Sequence, residues 1–289
     1  MGILVREIVQ MAQAQLERCG VSDAKTDAEL IFRHLLNVDK TGFFKLWGTS
    51  IDDKTWDSYL ELVTKRSEGV PLQHITGCQE FMGINFFVNP NVLIPRQETE
   101  VLVAEVIRMI QERGKSCSVL DLGCGSGAIG ISVAKLCKNA KVTASDISKR
   151  AMETTALNAR IHGVERKMDI LVGDLLEPFK GRFRTETFDI IVSNPPYIES
   201  GAISSLQREV KDHEPLLALD GGVDGLDYYR RIFEKAHTHL KKSGALALEI
   251  GEDQAGEISR MAKTTLKTFK DMKLIKDLAG KDRVVIVYT

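Results

Sequence analysis

Ser118-Val119-Leu120-Asp121-Leu122 runs directly into Gly123-Cys124-Gly125-Ser126-Gly127, and Ala128-Ile129-Gly130-Ile131-Ser132-Val133-Ala134-Lys135 follows. An apolar run, a Gly-rich turn and a small-residue apolar stretch in that order read as strand, loop and helix. The glycines permit positive φ and let a ligand lie against bare backbone. A second strand, Lys141-Val142-Thr143-Ala144-Ser145, ends in Asp146. That is the spacing at which a nucleoside-binding βαβ unit places a carboxylate for both ribose hydroxyls. Gly123, Gly125 and Ala128 also fit the dinucleotide fingerprint G-x-G-x-x-A, so the turn by itself leaves NAD open.

Downstream, Phe188-Asp189-Ile190-Ile191-Val192-Ser193 reads as a buried strand closed by Asn194-Pro195-Pro196-Tyr197. In an open α/β sheet the carboxyl ends of the strands line the ligand crevice. Asn194 offers a side-chain carbonyl, and two prolines remove competing backbone N–H groups. Tyr197 adds a flat ring. Together they form a socket for a planar group that presents an NH2. Such a socket has no part in hydride transfer, and Asp121 stands where a cationic donor with a free amino group needs an acid. Both features favour a sulfonium methyl donor over a dinucleotide. A rigid turn remains the plain structural reading of the tetrapeptide.

Asp121 to Gly127 resembles the first motif of S-adenosylmethionine-dependent methyltransferases, and Asn194 to Tyr197 the motif of those that methylate exocyclic or amide nitrogens. Pro71-Leu72-Gln73-His74, Val92 to Glu100, Glu214 to Gly222 with Asp224-Gly225, Leu248 to Gly251 and Asp277 to Val284 extend the likeness over nearly the whole chain. In these stretches the sequence resembles the HemK/PrmC family, which methylates the glutamine side-chain nitrogen in the Gly-Gly-Gln motif of class I peptide-chain release factors. The resemblance implies S-adenosyl-L-methionine as donor, S-adenosyl-L-homocysteine as product, and no metal. It implies a donor site at Asp121, Gly123, Cys124, Gly125, Ser126, Gly127, Asp146, Asp174, Leu175 and Asn194. The implied substrate site is Asn194 to Tyr197 with Arg96 and Glu98, and Asn194, Pro195 and Tyr197 carry the chemistry. Gln97 stands where the family usually has proline, Cys124 where threonine is common, and Leu175 where relatives often carry an aromatic ring against the adenine.

The 289 residues, 43% of them hydrophobic, exceed the common single-domain size and supply a sizeable core. No apolar run approaches a membrane span, and no secretory h-region opens the chain, so a cytoplasmic protein is expected. Five cysteines without a C-x-x-C pair argue against a metal site or disulfide framework. His237 and His239, two apart on an expected helix, cannot pair as metal ligands, and His213 reads as a solvated loop residue. The formal net charge is −1, and the first 80 residues hold 9 basic and 12 acidic side chains. Neither part is a basic nucleic-acid module, and no direct nucleic-acid partner is expected. The basic residues around Arg182 to Arg184 and Lys241-Lys242 read as solvated faces.

Periodicity places Ile8, Met11, Ala12 and Leu16 on one helical face, Ala24, Ala28, Ile31 and Leu35 on a second, and Trp56, Tyr59, Leu60 and Val63 on a third. Residues 1–75 therefore read as a helical bundle, and a methyltransferase that must recognise a macromolecule, unlike one acting on a free small molecule, has a use for such an extra domain. Residues 76–98 read as a linker, with a β-hairpin over Phe81 to Ile94. Residues 99–289 read as an α/β, Rossmann-like class I methyltransferase sheet, mostly parallel with one antiparallel strand at the chain's end. Strands are expected over Leu246 to Gly251, Met272 to Leu278 and Arg283 to Tyr288.

The chemistry expected is direct displacement. Asn194 Oδ1 and the Pro195 carbonyl each accept one amide N–H, and Tyr197 stacks on the amide plane. Two other classes fit parts of the sequence. One is an adenine-N6 or other nucleic-acid amino-methyltransferase, because a flipped base presents the same donors. The other is a non-catalytic module that kept the fold.

Overall fold

In the computed structural model, which describes residues 3–179 and 187–289, the chain forms two compact units. Arg182 to Arg184 lie outside the described residues. The first unit comprises Met1–Cys78 together with Gln207–His213. Its helices are α1 (Val5–Arg18), α2 (Ala24–Leu36), α3 (Lys40–Leu46), α4 (Asp53–Ser67) and α5 (Leu72–Thr76). Asp39 and Asp52 cap α3 and α4 by accepting from Gly42 N and Thr55 N, both at 2.7 Å. Ile8, Ala12 and Leu16 pack with Ala28, Ile31, Phe32, Tyr59 and Val63. Phe32 makes edge-to-face contacts with Phe43 and Tyr59, and the buried Tyr59 hydroxyl donates to Ala28 O at 2.9 Å. Met11 and Leu60 do not join this core. They are 53% and 38% exposed, on the margins of stripes narrower than the periodicity indicates.

The Gln207–His213 segment falls beyond the division that the sequence places near residue 75. Arg66 explains its place in this unit. The guanidinium is buried and donates to Asp27 Oδ2 at 2.6 Å and to Glu209 Oε1 at 2.7 Å. A buried arginine held by two carboxylates fixes the segment that carries one of them.

The second unit, Gln79–Leu206 with Glu214–Thr289, begins in a hairpin of β1 (Cys78–Phe81) and β2 (Ile84–Phe87). Met82 and Gly83 both have positive φ, the conformation of a two-residue primed turn. The hairpin is shorter than the Phe81 to Ile94 span read from alternation. Past Val88, Pro90 and the Asn89–Asn91 side-chain turn replace strand pairing.

Then come α6 (Thr99–Arg113), β3 (Cys117–Leu122), α7 (Ala128–Leu136), β4 (Ala140–Asp146), α8 (Lys149–Ile161), β5 (Met168–Val172) and β6 (Phe188–Ser193). The short α9 (Arg208–His213) belongs to the first unit. After it follow α10 (Asp227–Ala236), β7 (Leu240–Glu249), α11 (Ala255–Thr265), β8 (Asp271–Lys276) and β9 (Asp282–Tyr288).

The seven-stranded sheet has the order β5-β4-β3-β6-β7-β9-β8. It is parallel from β5 to β7, and β9 runs antiparallel to both neighbours. This is the mostly parallel α/β sheet expected, with its one reversed strand last in the chain. Val119, Ile190, Val192 and Ala245 face one apolar cluster, while Leu120, Ile191, Leu246 and Leu248 face the other. Both faces are covered, as a parallel sheet requires.

β7 begins at Leu240, six residues before the apolar run that marks it. Ser243, at φ 66°, sits where the β6–β7 register shifts. Lys241 is not simply solvated, since its ammonium pairs with Asp189 at 2.7 Å. His237 and His239 lie beyond α10, and His239 is buried against the Phe179 ring. Among the described residues no helix is long and apolar enough to cross a membrane.

Candidate active site

Strand register assembles the site. β3 pairs Leu122 with Ser193 of β6 on one side and with Ser145 of β4 on the other. The residues that follow, Gly123, Asn194 and Asp146, therefore emerge side by side at three adjacent carboxyl ends. All three line one cavity with Gly125, Asp174 and Leu175.

Gly123 and Gly125 have φ of 69° and 57°, and a Cβ added to either would meet nothing within 4 Å. Their backbone faces open space. Asp146 Oδ2 accepts from Gly125 N at 2.9 Å, and Oδ1 from Ser148 N at 2.8 Å. Burial nevertheless holds its carboxyl above the usual carboxylate range.

The other residues of the Gly-rich motif serve its scaffold. Gly127 packs so closely that a Cβ would stand 2.7 Å from Ile131 Cδ1. Cys124 is buried with Sγ toward Met152 and Thr155, and Ser126 O accepts from Asn158 Nδ2 at 2.9 Å. Burial drives the Cys124 thiol well above its ordinary value, which leaves it a small inert side chain. Asp121 does not line the cavity. It is fully buried, and Oδ2 accepts from Gly130 N at 2.9 Å while Oδ1 has no partner. Desolvation pushes its carboxyl up to about 7. Gly130 explains the placement, because a Cβ there would come within 2.9 Å of that carboxylate.

Asn194, Pro195 and Pro196 line the cavity, but Tyr197 does not. Its ring packs into the core beneath, and its hydroxyl donates to Glu249 Oε1 at 3.4 Å. A largely buried phenol needs such a partner. Asn194 Nδ2 donates to Thr99 Oγ1 at 3.1 Å, which leaves Oδ1 for a ligand. Arg96 is bound to the buried Glu214, whose other oxygen accepts from Ile94 N at 3.2 Å. Glu98 is an exposed residue at the start of α6. Neither Arg96 nor Glu98 lines the cavity.

Residues 97–223 match the Methyltransferase small domain family, and residues 7–77 the PrmC N-terminal domain. The chain is 40% identical over 260 residues to the release factor glutamine methyltransferase of Clostridium acetobutylicum, with 90% of each covered. It is 37% identical over 281 residues to that of Geobacter sulfurreducens, covering 97% of this chain and 95% of the relative. The chain belongs to the release factor glutamine methyltransferase family. A SAM-dependent methyltransferase from Agrobacterium tumefaciens, 16% identical with a TM-score of 0.51, shares the fold over 73% of this chain and 68% of its own.

The fold of a release factor glutamine methyltransferase implies S-adenosyl-L-methionine, and the residues present fit it. Bare backbone at Gly123 and Gly125 leaves room for the donor, and Asp146 retains lone pairs for ribose hydroxyls. Ile147, Leu175, Leu217 and the Tyr228 ring give the cavity an apolar side. Tyr228 is an aromatic that sequence reasoning missed, held by Arg231, which stacks over it at 5.7 Å and pairs with Asp174. Leu175 adopts φ 49°, a rare conformation for a branched side chain, at the rim of the same cavity.

Three further residues were given no site role by the sequence reading of this glutamine methyltransferase relative. Gln254 Nε2 donates to Tyr197 O at 3.0 Å and Gly225 O at 3.3 Å. A Cβ on Gly225 would lie 2.4 Å from Tyr197 O, so only glycine lets that loop lie against the motif. Glu249, 1% exposed, accepts from the Tyr197 hydroxyl at the end of Asn194 to Tyr197. Its signal was legible as the lone charge in the apolar run Ala245-Leu246-Ala247-Leu248-Glu249-Ile250. Among the described residues no cluster of His, Cys, Asp or Glu could hold a metal ion.

Proposed function

We propose that this protein transfers a methyl group from S-adenosyl-L-methionine to the side-chain amide nitrogen of the glutamine in the Gly-Gly-Gln motif of class I peptide-chain release factors. The observation that carries the reading is the Asn194 amide. Its Nδ2 is committed to Thr99, and its Oδ1 is left to accept beside the Gly123 and Asp146 donor site.

The donor supplies an electrophilic methyl carbon on a sulfonium. A primary amide nitrogen is a weak nucleophile because its lone pair is delocalised into the carbonyl. Asn194 Oδ1 and the Pro195 carbonyl each accept one N–H of that amide and hold its lone-pair face toward the donor methyl. Pro195 and Pro196 have no N–H to compete for those acceptors. Burying two acceptors without partners is costly, which selects an NH2 group over a hydroxyl. The nitrogen sheds its proton after methylation, so the chemistry requires neither a metal nor a strong general base.

The helical unit serves substrate recognition, the linker runs to about residue 98, and the protein works in the cytoplasm beside its substrate. The near-neutral charge supports a protein substrate over nucleic acid. Incubation with donor and a release factor should add one methyl mass to the glutamine of the Gly-Gly-Gln peptide. DNA and RNA in parallel reactions should remain unmodified. Methylated nucleic acid with an unmodified release factor would overturn the reading.

The donor site yields its own expectations. Asp146→Asn keeps the shape and removes the charge, and should weaken donor binding by about 1.5–3 kcal/mol, the worth of charge-assisted hydrogen bonds. Unchanged affinity by calorimetry would remove Asp146 from the donor site. Gly125→Val both strains a residue at φ 57° and fills the cavity, so donor titration of the folded variant should show no binding.

A further inference from the structure

We propose that Glu249 is a positioning residue that fixes which end of the Asn194 amide faces the substrate, acting through Thr99, and that it clamps the motif's far end through Tyr197. The inference rests on the proposed amide chemistry and names the group that gives the socket its polarity. The two ends of an asparagine amide are nearly the same shape, so its orientation is set by hydrogen-bond partners. Thr99 Oγ1 cannot set it alone, because a hydroxyl donates or accepts with equal ease. Something must hold the Thr99 proton away from Asn194.

Glu249 is placed to do so. It closes β7, beneath the start of α6, where Thr99 lies close enough to lower the carboxyl's proton affinity. Glu249 Oε1 receives the Tyr197 hydroxyl, and the buried Oε2 has no partner in full hydrogen-bond geometry. A carboxylate has no proton to give, so ionised Glu249 can only accept the Thr99 hydroxyl's hydrogen bond. Thr99 then accepts from Asn194 Nδ2, and Oδ1 turns to the cavity. Protonated Glu249 can donate to Thr99 instead. Thr99 would then donate to Asn194, whose amide would flip and present NH2 to a substrate NH2.

The groups facing the carboxyl come from every element around it. Thr99 and Glu98 lie at the start of α6, and Tyr197 follows β6. Tyr229 donates from α10 to Glu249 O at 2.8 Å, and Arg283 stands on β9. Burial outweighs the lowering by Thr99, Arg283 and Tyr197 and raises the carboxyl to about 7. The folded protein therefore binds this proton more tightly than the unfolded chain. The stability it contributes is complete below the ordinary glutamate range and is lost as pH rises through about 7. Glu249→Gln should accordingly fold at least as well as wild type above that pH.

The test measures single-turnover methylation of a release factor across pH 6 to 8, with donor affinity by calorimetry, for wild type, E249Q, T99V and T99S. Wild type should accelerate as Glu249 ionises. E249Q and T99V should be slower by about tenfold or more, with donor affinity unchanged, and E249Q should lose the acceleration with pH. T99S restores the hydroxyl and should recover most of the rate. Wild-type rates in E249Q or T99V, or a retained pH rise in E249Q, would overturn the assignment. A wild-type protein that transfers no methyl to glutamine would instead overturn the function on which it rests.

Discussion

Asn194→Ala should bind S-adenosyl-L-methionine nearly as tightly as wild type and methylate a release factor more slowly by on the order of 10²-fold or more. In the proposed site the donor rests on the Gly123–Gly125 backbone and Asp146, which this substitution leaves in place. The substrate amide loses one of two acceptors, and with it the orientation of a weak nucleophile. Asn194→Asp is the sharper variant. Its carboxylate keeps an acceptor for the substrate and adds a charge that attracts the cationic donor. If acceptor geometry is the main requirement, Asp retains more activity than Ala. Should Ala match wild type in single-turnover methylation, Asn-Pro-Pro-Tyr is a rigid turn and nothing more.

Arg66→Ala should destabilise the helical unit by about 3–5 kcal/mol, the usual result of stripping one partner from a buried ion pair. Arg66 and Asp27 each leave 6% of their side chains exposed. Burial raises the Asp27 carboxyl even with the guanidinium beside it. Without Arg66 the charged form of Asp27 has no cation, so the deficit should shrink as pH falls and Asp27 takes a proton. The chain's two tryptophans, Trp47 and Trp56, both pack in this unit. Their fluorescence in a urea titration therefore reads its unfolding directly. An unshifted midpoint would mean that water replaces the guanidinium without cost.

Features whose causes are local in sequence were the legible ones. A glycine turn after a strand, a carboxylate ending the next strand and a tetrapeptide closing a third each announce themselves within a few residues. Parallel pairing at the registers Leu122–Ser145 and Leu122–Ser193 then brings them together. Contacts between distant residues stayed hidden. Asp121 was expected at the ligand, yet its side chain turns to Gly130, a choice made by helix packing rather than by the motif. The partner of the Tyr197 hydroxyl, Glu249, lies 52 residues away. α9 has six largely polar residues and too few apolar positions for any period, so nothing within it names Arg66 as its partner.

The capture of α9 also bears on how the molecule is made. Translation delivers residues 1–78 first, and an N-terminal unit ordinarily folds as it emerges. Here one partner of Arg66 is encoded 143 positions later, at Glu209. On the ribosome, the nascent bundle must wait with Arg66 held only by Asp27 and the Val70 carbonyl until most of the second unit has been synthesised. A fragment cut after Cys78 would keep that immature pairing permanently. The bundle is thus finished only when the segment that follows the Asn-Pro-Pro-Tyr motif has been translated.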